Sequence, residues 1–139
     1  MSPSTDANAS SSPAEILGFS TGQIVQELGY DDDVDLELRD AIEDSIEADL
    51  EDEECQEIVD GVVLWWRDGD GDLVDALVDS LTTLAPGGPV WLLTPKAGRE
   101  GHVQPGAIQE SADLAGLRAM NSMALAEDWS GTRLASRQG

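Results

Sequence analysis

The segment Leu81-Thr-Thr-Leu-Ala-Pro-Gly-Gly-Pro-Val-Trp-Leu-Leu-Thr-Pro95 constrains the fold more than any other, because it encodes a helix end, a turn and a buried strand in succession. Pro86 has no amide to continue a helix, and Gly87 or Gly88 can take the left-handed conformation of a helix cap. Val90 to Leu93 is the unbroken apolar run of a strand covered on both faces. Such a unit belongs to an α/β sheet. Ile58-Val-Asp-Gly-Val-Val-Leu-Trp-Trp66 reads as a second strand of the same kind, β-branched and aromatic with no clear alternation. Adjacent Trp65 and Trp66 must point to opposite faces, so each is expected to anchor one layer of the core. Between the two strands Asp72 is a natural N-cap, followed by a broad apolar helical face of Leu73, Val74, Ala76, Leu77, Val78, Leu81 and Leu84. Ile58 to Thr94 is therefore expected to form one βαβ unit.

Gly22-Gln-Ile-Val-Gln-Glu-Leu-Gly29 has the pattern of a short strand left through a glycine. From there, apolar residues recur four apart at Val34, Leu38, Ile42, Ile46 and Leu50, with acids between them, which predicts an amphipathic helix with an acidic outer face. A helix from about Ala107 to Ala115 should stop at Gly116, and two strands, Ala119–Leu125 and Thr132–Ala135, should form a hairpin-like pair. Residues 1–14 are expected to be a disordered tail poor in apolar side chains, 15–136 a single α/β domain, and 137–139 a C-terminal tail.

The formal charge is −22, and its placement is uneven: residues 1–80 hold 24 of the 29 acids and two of the seven Lys and Arg. An acidic surface repels phosphates, which argues against nucleic acid and against anionic membranes. The sequence has neither an apolar run long enough to span a bilayer nor a basic, apolar leader at its start, so a cytoplasmic protein is expected. Cys55 is the single cysteine and stands among carboxylates, which disfavour its thiolate; it is expected to be a small apolar filler.

Two resemblances follow from these residues. Leu-x-Pro-Gly-Gly before the apolar strand at Val90–Leu93, the opening Phe19-Ser-Thr-Gly-Gln-Ile-Val-Gln-Glu-Leu-Gly-Tyr30 and the terminal strand pair resemble class I adenosylmethionine-dependent methyltransferases. The resemblance implies an α/β fold of reduced Rossmann-like type: a mostly parallel sheet of about five strands, a C-terminal antiparallel pair and helices on both faces. Leu50 to Ile58 is too short for that family's second and third strands. Glu27 and Gly29 match the family's opening, but Tyr30-Asp-Asp-Asp33 stands where further glycines admit the cofactor, and the ribose-binding strand is absent. The whole chain, over about residues 15–136, more closely resembles a family of small acidic actinobacterial proteins of unknown function. The residues that carry this are Gln-Glu-Leu-Gly-Tyr-Asp-Asp-Asp-Val-Asp35, Leu-Trp-Trp-Arg-Asp-Gly-Asp-Gly-Asp-Leu73, Leu-Thr-Pro-Lys-Ala-Gly-Arg99 and Asp-Trp-Ser-Gly-Thr-Arg-Leu134.

Asp68-Gly-Asp-Gly-Asp72, with Asp79 following, has part of the spacing of a calcium loop, but Leu73 occupies the position that must be glycine. The alternative is a tight strand-to-helix turn rich in capping acids. His102, the single histidine, sits in a Gly-Arg-Glu-Gly-His loop and is expected to be exposed. Ligands of open α/β sheets collect at the C-terminal strand ends. That rim would comprise Tyr30 and Asp31, then Arg67, Asp68 and Asp70, then Thr94 and Lys96, with Arg67 and Lys96 equally able to serve as structural partners of loop carboxylates. Glu37, Glu43, Glu47 and Glu51 on the acidic helix would form a docking face for a protein with a basic surface. The sequence thus reads as a non-catalytic acidic interaction or regulatory module with no catalytic residue, cofactor or metal ligand assigned. The alternatives are a minimal adenosylmethionine-dependent methyltransferase and a divalent-metal-binding module. Loss of two strands would leave the first strand at a sheet edge, a template for a homodimer unless the acidic helix covers it.

Overall fold

The computed structural model describes residues 13–136. The expected tails at 1–14 and 137–139 lie outside the described residues, except for Pro13 and Ala14, which open helix α1 (Pro13–Leu17). Strand β1 (Val25–Leu28) and helix α2 (Leu36–Ile46) follow, then β2 (Gly61–Trp65), α3 (Leu73–Ser80), β3 (Val90–Pro95), α4 (Pro105–Leu114), β4 (Leu117–Ala124) and β5 (Trp129–Ser136). The five strands form one sheet in the order β1-β2-β3-β5-β4. β1, β2 and β3 are parallel, while β5 runs antiparallel to both β3 and β4.

Residue alternation along β2 and β3 builds two cores. Val63, Trp65, Trp91 and Leu93 pack beneath Leu17 of α1 and Leu38, Ile42 and Ile46 of α2. Val62, Leu64, Val90 and Leu92 face Leu73 and Leu77 of α3 and Ile108 and Ala112 of α4. A sheet covered on both faces has no solvated side to mark with polar residues, which is why the strands read as continuous apolar runs. Trp65 is fully buried, whereas Trp66, one residue past β2, is half-buried at the margin of the second core. The two tryptophans thus serve opposite layers as expected, but Trp66 has left the strand and covers the edge of the second core rather than filling its interior.

Helix α2 is shorter than its apolar period, which runs on to Leu50. Asp35 caps its start by accepting from the Leu38 amide, but Glu47 turns left-handed at φ 59°, and the amides of Glu47 and Ala48 close on the Glu43 carbonyl. Four-residue spacing persists beyond the last turn because Leu50 still folds back against the same core. The expected helix through Leu84 likewise stops at Ser80, and Asp72 caps it by accepting from the Val74 and Asp75 amides.

The chain after α2 then meets the outer edge of β1. The Glu27 amide donates to the Glu51 carbonyl at 2.7 Å and the Glu51 amide to the Val25 carbonyl at 2.9 Å. These are the outward-facing groups of β1, so the edge that would template a homodimer if left uncovered is met here by the chain's own residue 51 rather than by the acidic helix.

Candidate functional site

β1 carries a buried acid toward the first core. Glu27 is 6% exposed and takes a bidentate ion pair from Arg39 of α2, at 2.6 and 2.9 Å, and a third hydrogen bond at 2.9 Å from the Trp65 indole N–H. The Arg39 guanidinium also lies 4.8 Å from the ring centre of Tyr30. A desolvated carboxylate needs this density of donors, and here it obtains them from a helix and a neighbouring strand. The next residue facing this way, Gly29, has φ +79°, and a Cβ there would overlap the Trp65 carbonyl.

Arg67, just beyond β2, is a second hub. Its guanidinium donates to Asp33 at 2.6 and 3.0 Å, to the Gly29 carbonyl at 2.9 Å, and more distantly to the Trp65 carbonyl and Asp70. It also lies 5.3 Å from the ring centre of Trp129, whose indole N–H donates to the Asp33 carbonyl and whose ring meets Trp65 edge to face at 4.9 Å. Burial alone would pull the Arg67 guanidinium down, but hydrogen bonding and charge from Asp33 and Asp70 hold it above its ordinary value. The hydrogen bond from Arg67 in turn holds the Asp33 carboxyl below the usual range. A carboxyl depressed in the folded state stabilises the fold above its unfolded pKa of about 4, and that contribution is lost as pH falls through the lower folded value. Asp33→Asn is therefore expected to flatten the decline of melting temperature below about pH 4. An acid limb identical to that of the unaltered protein would show that the pair contributes nothing to stability.

The candidate rim residues divide among separate surroundings. Arg67 and Asp68 line a cleft of about 420 Å³ with Asp33, Asp128 and Trp129. Tyr30 lies in another hollow with Glu27, Arg39 and residues 52–54. Asp70 borders a larger cleft, and Asp31 is exposed and accepts from the Asp32 amide. Thr94 is buried in β3, and Lys96 bonds through its amide to the Asp128 carbonyl. The structure thus joins Arg67 to Asp70 but does not assemble the seven residues into one site. His102 is half-buried rather than exposed, its Nδ1 2.9 Å from the Pro95 carbonyl. In the calcium-like loop, Asp70 binds Arg67 and Asp72 caps α3; among the described residues no three His, Cys, Asp or Glu side chains are grouped to hold a metal ion.

The four acids assigned to a docking face also separate, because α2 ends at Ile46. Glu37 is exposed on the helix, but the Glu43 carboxylate accepts the Leu50 amide, Glu47 follows the helix and accepts from Thr21 Oγ, and Glu51 borders β1. The acids that do share an exposed face of α2 are Glu37, Asp40 and Asp44, spaced three and four apart.

Sequence reasoning missed a cleft larger than those beside Arg67 and Tyr30, about 780 Å³, which is bounded by β1, β2, α3 and residues 53–58. Its wall is held by Gln26, buried in β1, which donates to the Asp52 and Cys55 carbonyls and accepts from Thr83 Oγ at 2.7 Å. No local pattern marks a cleft whose sides come from four distant segments. The importance of Arg39 and Arg67 was more accessible: they are the two bases among the first 80 residues, and cations in so acidic a segment have partners on every side.

The residues present do not fit adenosylmethionine in the manner that the fold implies. Glu27 is committed to Arg39 and Trp65, Gly29 is required by its approach to Trp65, and its carbonyl is held by Arg67. The loop that would admit the cofactor is thus spent on the protein's own packing. No helix among the described residues is long and apolar enough to cross a membrane.

Residues 14–138 match the family described as "Protein of unknown function (DUF3052)". Uncharacterized proteins from Mycobacterium tuberculosis and Mycobacterium bovis are each 47% identical over 128 residues, covering 92% of this chain and 80% of theirs. Among solved structures, the pyocyanin biosynthetic protein PhzM superposes with a TM-score of 0.65 at 15% identity, over 92% of this chain and 55% of that one. The chain thus spans about half the length of PhzM. An adenosylmethionine-dependent methyltransferase from Aquifex aeolicus gives 0.55 at 13% identity, over 88% of both chains. At these identities the likeness shows the fold: a Rossmann-like, methyltransferase-like α/β sheet.

Proposed function

The chain belongs to the DUF3052 family of unknown function, and from that premise we propose that it is a non-catalytic, acidic interaction module on a methyltransferase-like scaffold. The observation that carries the reading is the closure of the loop after β1, where Glu27 and Gly29 serve the fold and Arg67 bridges Gly29 to Asp33. A scaffold whose cofactor entrance is filled by its own ion pairs is left with its surface as a means of action. That surface is strongly negative, and its most regular feature is the exposed row Glu37, Asp40 and Asp44. The partner is a protein with a basic surface, recruited through long-range attraction in the cytoplasm.

The alternative, a minimal methyltransferase, is favoured by the structural likeness to PhzM and related enzymes. Calorimetric titration separates the two. We expect no saturable adenosylmethionine binding tighter than about 1 mM, equivalent to roughly 4 kcal/mol; micromolar binding would favour the enzyme. Replacing Glu37, Asp40 and Asp44 with Gln, Asn and Asn should leave the melting temperature unchanged or slightly raised while lowering partner capture at low salt. Equal capture by both proteins across ionic strengths would remove the acidic face from consideration.

A further inference from the structure

The larger cleft and the proposed docking row are different surfaces, and the cleft has a chemical character of its own. Leu28, Leu64 and Ala76 form its apolar lining together with Trp66, and Ile58, 64% exposed, stands at its margin. Three carboxylates, Glu53, Asp70 and Asp79, line it as well, and no Lys, Arg or His does. Glu53 is engaged by the Gly29 amide and Asp70 by Arg67, but among the described residues the Asp79 carboxylate makes no hydrogen bond or ion pair. The walls are held in place. Gln26 ties residues 52 and 55 to Thr83, and Glu53 ties the same segment to Gly29.

We propose that this cleft binds a small hydrophobic cation, an organic amine or guanidine carrying a ring-sized apolar body. The volume of about 780 Å³ lies within the range of small-molecule pockets and far exceeds what a bare ammonium needs. An apolar body buries Ile58 and the exposed part of Trp66, whose indole face also attracts a cation. The charged group meets Asp79, the carboxylate of the three that has no partner among the described residues. Anionic ligands are repelled by all three carboxylates, and neutral ones leave the charge of Asp79 unused. This site goes beyond the acidic-face reading, and its test shares no residue with the variants used there.

The probe is 2-phenylethylammonium, compared with 2-phenylethanol and 3-phenylpropanoate, and the readouts are intrinsic fluorescence and the rate of Cys55 alkylation by iodoacetamide. Cys55 lines the cleft and is the single cysteine, so an occupant should slow its modification. We expect saturable protection with a Kd of about 1 mM or tighter, in keeping with a ligand of this size. The alcohol should bind about tenfold more weakly and the carboxylate more weakly still. Asp79→Asn, at an exposed helix position, should weaken the amine about three- to tenfold without changing the melting temperature. Trp66→Phe should abolish the fluorescence change while leaving Cys55 protection in place. Equal binding of the carboxylate, no effect of Asp79→Asn, or no saturable protection by the amine would overturn the proposal. So would protection by the peptide acetyl-Leu-Lys-Leu-Lys-amide at concentrations where the amine gives none, which would assign the cleft to a protein segment.

Discussion

Replacing Trp65 with Ala is expected to remove about 5 kcal/mol of folding stability, at the upper end for a buried aromatic, or to prevent soluble expression. The indole is fully buried between α2 and β5, meets Trp129 edge to face, and supplies one of the three donors to Glu27. Truncation therefore opens a cavity and at the same time strips a buried carboxylate of a hydrogen bond. Trp65→Phe separates the two contributions: it keeps most of the packing and loses the donor, at a cost of about 1–2 kcal/mol. Urea denaturation provides the comparison, with Trp66→Ala as the reference. Trp66 is half-buried, and its truncation should cost about 1–2 kcal/mol, a fraction of the full aromatic burial term. Equal midpoints for the two alanine variants would mean that both layers are anchored alike and that Trp66 is not at an edge.

Arg39→Met is expected to cost about 3–4 kcal/mol, because it leaves Glu27, 6% exposed, with a single side-chain donor. The methionine preserves much of the aliphatic stem, so the loss reports the stranded charge rather than lost volume. The informative variant is the double one. Glu27→Gln with Arg39→Met removes both charges and should recover half or more of the loss, since a neutral amide can still accept from Trp65. A double variant no more stable than Arg39→Met would show that the ion pair itself, rather than the uncompensated charge, holds α2 to the sheet.

The balance between these residues also explains what could be read from the chain. The apolar runs at Ile58–Trp66 and Val90–Leu93, the Asp72 cap and the C-terminal strand pair are local signals, and each appears in the structure close to its expected place, whereas the helix expected to run toward Pro86 already ends at Ser80. Element ends were less legible where long-range packing imitates local periodicity. Leu50 keeps the four-residue rhythm of α2 but reaches the core from beyond a left-handed turn at Glu47, and this displaced two of the four acids assigned to the helix face. The Glu27–Arg39 and Asp33–Arg67 pairs join residues 12 and 34 apart in sequence, and no spacing rule proposes them. The larger cleft is less legible still, since its lining converges from β1, the 53–58 segment, β2 and α3 only after the sheet has closed.

The main-chain bonds between Glu51 and β1 also bear on the order in which the chain is made. A ribosome releases Val25 and Glu27 long before Gly61, their parallel partner region in β2, yet it releases Glu51 in between. The exposed groups of β1 are therefore offered a partner on the nascent chain before the sheet proper can form. Parallel pairing is slow because its loop must close first, and unpaired strands are the sites at which unfinished chains adhere to one another. Residue 51 gives the first strand an early escort, placed on the side that no later strand will occupy.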